Sequence, residues 1–395
     1  MLLTGFQHNK TMDTIISKIE EQIWKSVGTE KRIGVLDGLS GIALFYNYLI
    51  ETEPNDEYQD KLFSIIDKIG DLISEESYNS SLCSGIAGYG WVLAKIKNKN
   101  LEIEEKYFEA LDAILAESLL EEAAKNYYDF LHGAFGIALY FIERYKCKKN
   151  KSIEAILTEF STTLIEKINT NPEVIFSSDS ERPNQKMHYF GLAHGLSGTL
   201  NFLVYLQTNL PEVHPGIQEA ITKIIAFMNT YRAFDEESKQ FYPGQVVIHN
   251  DAVTKARLGW CQGDLGIANA ILNSGSFLKN TSLKEDGHSL INATKNITVK
   301  ESLVNDFALC HGTSGIILQY YLASLKTDTP HQETIAIWYE NLKKQTLNFT
   351  EFKSFFIDQY VAETNILNGA AGLGLTLLTI ENKIQPDWAE CLNLY

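Results

Sequence analysis

The feature that most limits how this chain can fold is one short signature written seven times: glycine pairs at positions 38 and 41, 85 and 88, 133 and 136, 195 and 198, 263 and 266, 312 and 315, and 369 and 372. Successive first glycines lie 47 to 68 residues apart. Periods of that size belong to stacked supersecondary units, each too small to bury its apolar face alone. Length alone would allow two or three domains, but the repeats run through the 395 residues and read as one domain, 1–395.

Each signature is followed by a nearly all-apolar run, as in IALFYNYLI from Ile42, IALYFI from Ile137 and IILQYYLA from Ile316. A helix of that composition is buried on every side. Between the signatures lie amphipathic segments. Met12, Ile15, Ile16, Ile19, Ile23 and Val27 follow helical spacing behind Thr11 as an N-cap, and the pattern returns in Tyr58, Leu62, Ile65, Ile66, Ile69 and Leu72, and from Ile153 to Ile168. The expected fold is all-α, a sevenfold α/α toroid with apolar helices inside and amphipathic helices outside, closed so that no repeat lacks a neighbour. Each Gly-x-x-Gly opens an inner helix, because glycine permits a tight turn and close backbone packing. The seven turns are then expected at one end of the ring. The two longest intervals read as loop insertions near 169–190 and 229–260, of the kind that form walls of a substrate groove.

A net charge of −16 argues against nucleic acid, whose phosphates need clustered Lys and Arg. The amino-terminal stretch lacks the basic and apolar regions of a secretion signal, and no run reaches the length of a membrane span, so a cytoplasmic protein is expected. Five widely spaced cysteines favour reduced thiols or metal ligands over a disulfide framework.

The residue before each first glycine is polar in all seven repeats: Asp37, Ser84, His132, His194, Gln262, His311 and Asn368. One position earlier, three repeats carry Cys83, Cys261 and Cys310. A lone cysteine is usually inert packing, but neighbouring repeats of a ring are spatial neighbours, so Cys261 can meet Cys310 and His311. Two thiolates and an imidazole suit Zn(II), and three protein ligands leave the open position of a catalytic site. Cys83 sits three repeats away from both and is left out. Asp129, His194 and Arg257 lie on the same arc, a combination suited to proton transfer beside a polarised thiol.

Tyr128-Asp129 before His132-Gly133, Gly191-Leu-Ala-His194-Gly195, Trp260-Cys261-Gln262-Gly263 and Cys310-His311-Gly312 together resemble the lanthionine synthetase C family, over nearly the whole chain. The resemblance implies a toroid holding zinc through Cys261, Cys310 and His311, with His194, Asp129 and Arg257 in acid-base chemistry. Members commonly carry Tyr or His after the first zinc cysteine, where this chain has Gln262, which can still hydrogen-bond substrate. The implied activity joins cysteine thiols of a dehydrated precursor peptide, leader plus core, to dehydroalanine or dehydrobutyrine, making thioether rings. A dehydratase and an export transporter are the further partners it suggests, with peripheral association to a membrane complex. The alternative is a non-cyclising relative that binds zinc and a thiol such as glutathione. Prenyltransferase-like and glycan-processing toroids fit worse, since the first resembles an Asp, Cys, His zinc site and the second needs paired carboxylates.

Overall fold

The computed structural model describes residues 10–97, 100–176, 178–179, 186–327, 330–356 and 358–395. Its helices are α1 Lys10–Val27, α2 Leu39–Thr52, α3 Asp56–Glu75, α4 Ile86–Ile96, α5 Glu105–Ala124, α6 Ala134–Cys147, α7 Lys151–Thr170, α8 Glu173–Phe176, α9 Leu196–Asn209, α10 Ile217–Thr230, α11 Asp264–Phe277, α12 Thr281–Thr294, α13 Thr313–Lys326, α14 Gln332–Gln345 and α15 Ala370–Ile380. Six short strands, β1 Ser178–Asp179, β2 Lys186–Tyr189, β3 Gln245–Val247, β4 Ala252–Thr254, β5 Ser354–Phe356 and β6 Gln359–Val361, accompany them.

The helix after every signature begins directly behind its first glycine, which is the N-cap in all seven repeats. The N-cap glycine has no side chain with which to cap these helices. Instead the preceding loop folds back on the helix start: Leu39, Ile86, Ala134 and Thr313 each donate N–H, at 2.9 Å, to the carbonyl seven residues earlier, and Ala370 does so at 3.0 Å. These bonds satisfy donors that a helix N-terminus otherwise leaves open. They also press the loop against the glycine: a Cβ would strike the backbone of the residue six positions back at Gly38, Gly85, Gly133 and Gly369, and that of Ala308 at Gly312. Gly263 departs from the rest. Its φ is +118°, the left-handed side of the map, and the first N–H of α11 bonds to the Gln240 side chain at 2.9 Å.

The seven helices that follow the signatures are buried around their whole circumference, as the apolar runs predict. The alternating helices α1, α3, α7, α10, α12 and α14 bury one stripe, including Ile15, Ile19 and Ile23 of α1. Helix α1 already runs from Lys10, so Thr11 lies within its first turn rather than capping it. The side-chain caps that do form are Asn55, Asn150 and Asn280.

Contacts group the chain into two compact units, one comprising the described residues up to Glu117 with Asn305–Cys391, the other Ser118–Val304 with Leu392–Tyr395. In the first, backbone bonds link the turns in repeat order: Cys310 N–H to Leu367 O at 2.9 Å, Leu367 N–H to Leu36 O at 2.9 Å, and Leu36 N–H to Cys83 O at 3.2 Å. The sixth, seventh, first and second repeats are therefore consecutive neighbours, and Cys83 stands three turns from Cys310.

In the second unit the two insertions are not mere loops. They supply one antiparallel sheet in the order β1-β2-β3-β4, with Met187 opposite Val247 and Tyr189 opposite Gln245. Strands of two to four residues among polar neighbours give too little alternation to read from sequence. Residues 177 and 180–185 of the first insertion lie outside the described residues. Buried His188 anchors the sheet: its Nδ1 is 2.7 Å from Phe176 O, and its ring packs on Phe227 of α10.

Candidate active site

Asp129 and His194, far apart in sequence, are brought into contact within the second unit. Tyr128 roots the Asp129 loop: its buried ring packs on Phe135 and Phe160, and its hydroxyl accepts from Lys167 Nζ at 2.9 Å. The Asp129 carboxylate then takes three donors, Leu131 N–H at 2.9 Å and His132 N–H at 2.7 Å on Oδ1, and His194 Nδ1 on Oδ2 at 2.6 Å. A carboxylate already committed to backbone donors accepts from the ring as well, so Nδ1 carries the proton and Nε2 is the nitrogen that exchanges one. Asp129 is 10% exposed and His194 44%, an anchored acid behind an accessible imidazole.

Both line a cleft of about 1330 Å³ whose walls include Tyr127, His132, Lys186 and Tyr189 and strands β2 to β4. The insertions thus form a wall of the cleft, as their length suggests. His132 faces the same space with its ring nearly parallel to that of His194, centroids 6.1 Å apart at 18°. Burial holds the His132 pKa below its ordinary value; Asp129 opposes the shift and His194 adds to it. Burial likewise pushes the Tyr127 hydroxyl to about 12, with Asp129 reinforcing it.

The residues before the signature glycines all keep access to solvent, whereas one position earlier Leu36, Cys83, Leu131, Ala193 and Leu367 are buried. Cys261 and Cys310 are the two exceptions, both partly exposed. Cys261 stands in the second unit, its carbonyl 3.5 Å from Ala193 N–H. Cys310 and His311 stand in the first, where His311 Nε2 is 3.7 Å from buried Asp306 Oδ2. Asp306 is itself fixed by Ala308 N–H at 3.0 Å and Phe355 N–H at 2.7 Å. Two accessible thiols and an accessible imidazole are zinc-type donors. Among the described residues no three His, Cys, Asp or Glu side chains are already gathered as a metal cage.

Arg257 is half-buried, and among the described residues its Nε has no hydrogen-bond partner. The Gln262 side chain lies against the Cα of Gly244, just before β3. The structure therefore joins Asp129 to His194 directly, while neither Arg257 nor Gln262 has a described bond to that pair. His132 was legible as a polar turn residue, but its stacking on His194 was not.

The glycine-capped repeats and the residues at their turns are those of one family: the chain belongs to the lanthionine synthetase C-like proteins, whose pattern matches residues 30–393. Among solved structures it is similar to a nisin cyclase, with a TM-score of 0.73 and 21% identity over 97% of this chain and 96% of that one. That likeness gives the fold class, the α/α toroid expected from the repeats. An inactive variant of an α-1,6-mannanase from Salegentibacter sp. HEL1_6, in complex with α-1,6-mannotriose, matches at a TM-score of 0.46 and 9% identity over 94% of this chain and 99% of that one, too loosely to bear on function. No curated protein sequence matches the chain. Among the described residues no helix is long and apolar enough to cross a membrane.

Proposed function

We propose that this protein is a zinc-dependent lanthipeptide cyclase acting on a dehydrated precursor peptide, leader plus core. The observation that carries the reading is the Asp129–His194 bond at 2.6 Å on the wall of the cleft, a positioned acid-base pair that a protein merely holding a thiol would not need. Membership of the family and the solvent access of Cys261 and Cys310 support it. Cys261, Cys310 and His311 are the proposed zinc ligands. Zinc, when bound, lowers the pKa of a substrate thiol so that the nucleophilic thiolate exists at neutral pH.

In the reaction the cysteine sulfur bonds to the β-carbon of a dehydroalanine or dehydrobutyrine, and the double-bond electrons shift toward the adjacent carbonyl. The α-carbon then needs a proton. His194 delivers it from Nε2 while Asp129 holds Nδ1–H and stabilises the imidazolium. Arg257 stabilises the developing negative charge, and Gln262 hydrogen-bonds the peptide. A dehydratase and a membrane export transporter are proposed as further partners of a cytoplasmic protein peripherally associated with their complex.

The test is ring formation, followed as loss of alkylatable cysteine in a dehydrated peptide. The wild type should form rings, and His194→Asn should keep its zinc while losing roughly 10² to 10⁴ in rate. Wild-type rates in that variant would remove His194 from the chemistry. No turnover by the wild type on any dehydrated peptide would favour the zinc- and glutathione-type binding protein instead.

A further inference from the structure

The cleft holds two imidazoles, and the reaction above employs one. Among its described lining residues the histidines are His132 and His194, carried by the turns of the third and fourth repeats. They share one carboxylate, His194 through its ring at 2.6 Å and His132 through its backbone N–H at 2.7 Å. Their rings lie nearly parallel at 6.1 Å. We infer that His132 is a second proton-transfer residue of this site, the base that complements His194 as the acid; the inference rests on the cyclase reading above.

Two imidazoles at this separation resist carrying positive charge together, so the site favours one cation and one neutral ring. The direct bond to Asp129 gives the charge to His194. Burial in the cleft, the largest influence on His132, and the neighbouring His194 both keep His132 neutral, against the attraction of Asp129. The other ionisable groups among the described residues along the cleft are Lys125, Tyr127, Tyr128, Glu173, Lys186 and Tyr189. Environments that push paired groups apart in this way separate acid from base.

The step balances without a co-reactant. The thiol proton passes to neutral His132, the sulfur bonds to the β-carbon, and the His194 imidazolium gives its Nε2 proton to the α-carbon. That leaves His132 charged and His194 neutral. A proton passed from the first to the second through cleft water restores the starting state, and the net change is S–H added across the carbon-carbon double bond. The turn of the fifth repeat offers no titratable substitute, because Gln262 stands there.

The experiment uses the full chain loaded with zinc and two variants, His132→Phe, which keeps a flat ring, and His132→Gln, which keeps a polar one. Both should bind zinc like the wild type, close rings about 100-fold more slowly, and lose the ionisation that limits the rate on the acid side. Independently of turnover, imidazole NMR titration should show the His132 midpoint rising when His194 is changed to Asn. Rates within about twofold of wild type in both variants would overturn the inference, and so would a His132 midpoint indifferent to His194→Asn. If the wild type closes no ring, the cyclase reading falls and the catalytic role of His132 falls with it, whereas coupled titration would still identify the pair.

Discussion

Cys83, Cys261 and Cys310 occupy the same place in three repeats, two residues before the first glycine, yet they are two kinds of thiol. Cys83 is 6% exposed, its carbonyl taken up in the bond from Leu36, while Cys261 and Cys310 reach solvent. Local sequence could not make that distinction, since each cysteine sits in the same motif. Counting repeats around a ring could, and it set Cys83 aside. Cys261→Ala and Cys310→Ala should each lose most of the zinc with helicity largely intact, while Cys83→Ala should retain it, as read by metal analysis beside circular dichroism. Stoichiometric zinc in the Cys261→Ala, Cys310→Ala double variant would refute the site. Asp129, His194 and Arg257 were legible as acid-base candidates because they flank the signatures. Which of them touch was not, since the Asp129–His194 bond joins loops of different repeats.

Among the elements, the helices were readable because the glycine pair, the apolar run and the amphipathic stripe all repeat. The strands were not: β2 pairs with β3 across two distant insertions, and the local pairings, such as the β5–β6 hairpin, join strands of only two to four residues. What ties the second insertion to α11 is Asp264, 1% exposed, which accepts Phe241 N–H at 2.6 Å and Tyr242 N–H at 3.0 Å. Burial pushes its carboxyl up to about 6 from an ordinary 3.8, overriding those two bonds and the nearby Arg232. The folded state therefore binds this proton more tightly than the unfolded chain does. Its contribution to stability is fully present below pH 3.8 and is lost as pH rises through 6, to a limit of about 3 kcal/mol. In urea titrations from pH 4 to 7, Asp264→Asn should flatten that decline relative to the wild type. An unchanged pH dependence would show that the carboxyl is not held protonated.

For the molecule as a whole, the first unit is assembled from two stretches of sequence, whereas the second is continuous apart from its last four residues. The bonds that complete the first unit span long separations. Gln22 Nε2 donates to Phe352 O at 3.0 Å, the hydroxyls of Ser26 and Thr364 meet at 2.8 Å, and Leu367 N–H reaches Leu36 O at 2.9 Å. Closing such loops demands chain entropy before any contact repays it. In pulsed hydrogen exchange during refolding, amides of α9 and α11 should gain protection before those of α1 and α15; simultaneous protection would contradict this order. The bond between the first and seventh turns thus carries a meaning in time. Repeats emerging early from a ribosome have no finished neighbour on one side, and their apolar edge stays open to chaperones, or to a second copy, until the seventh repeat has been made.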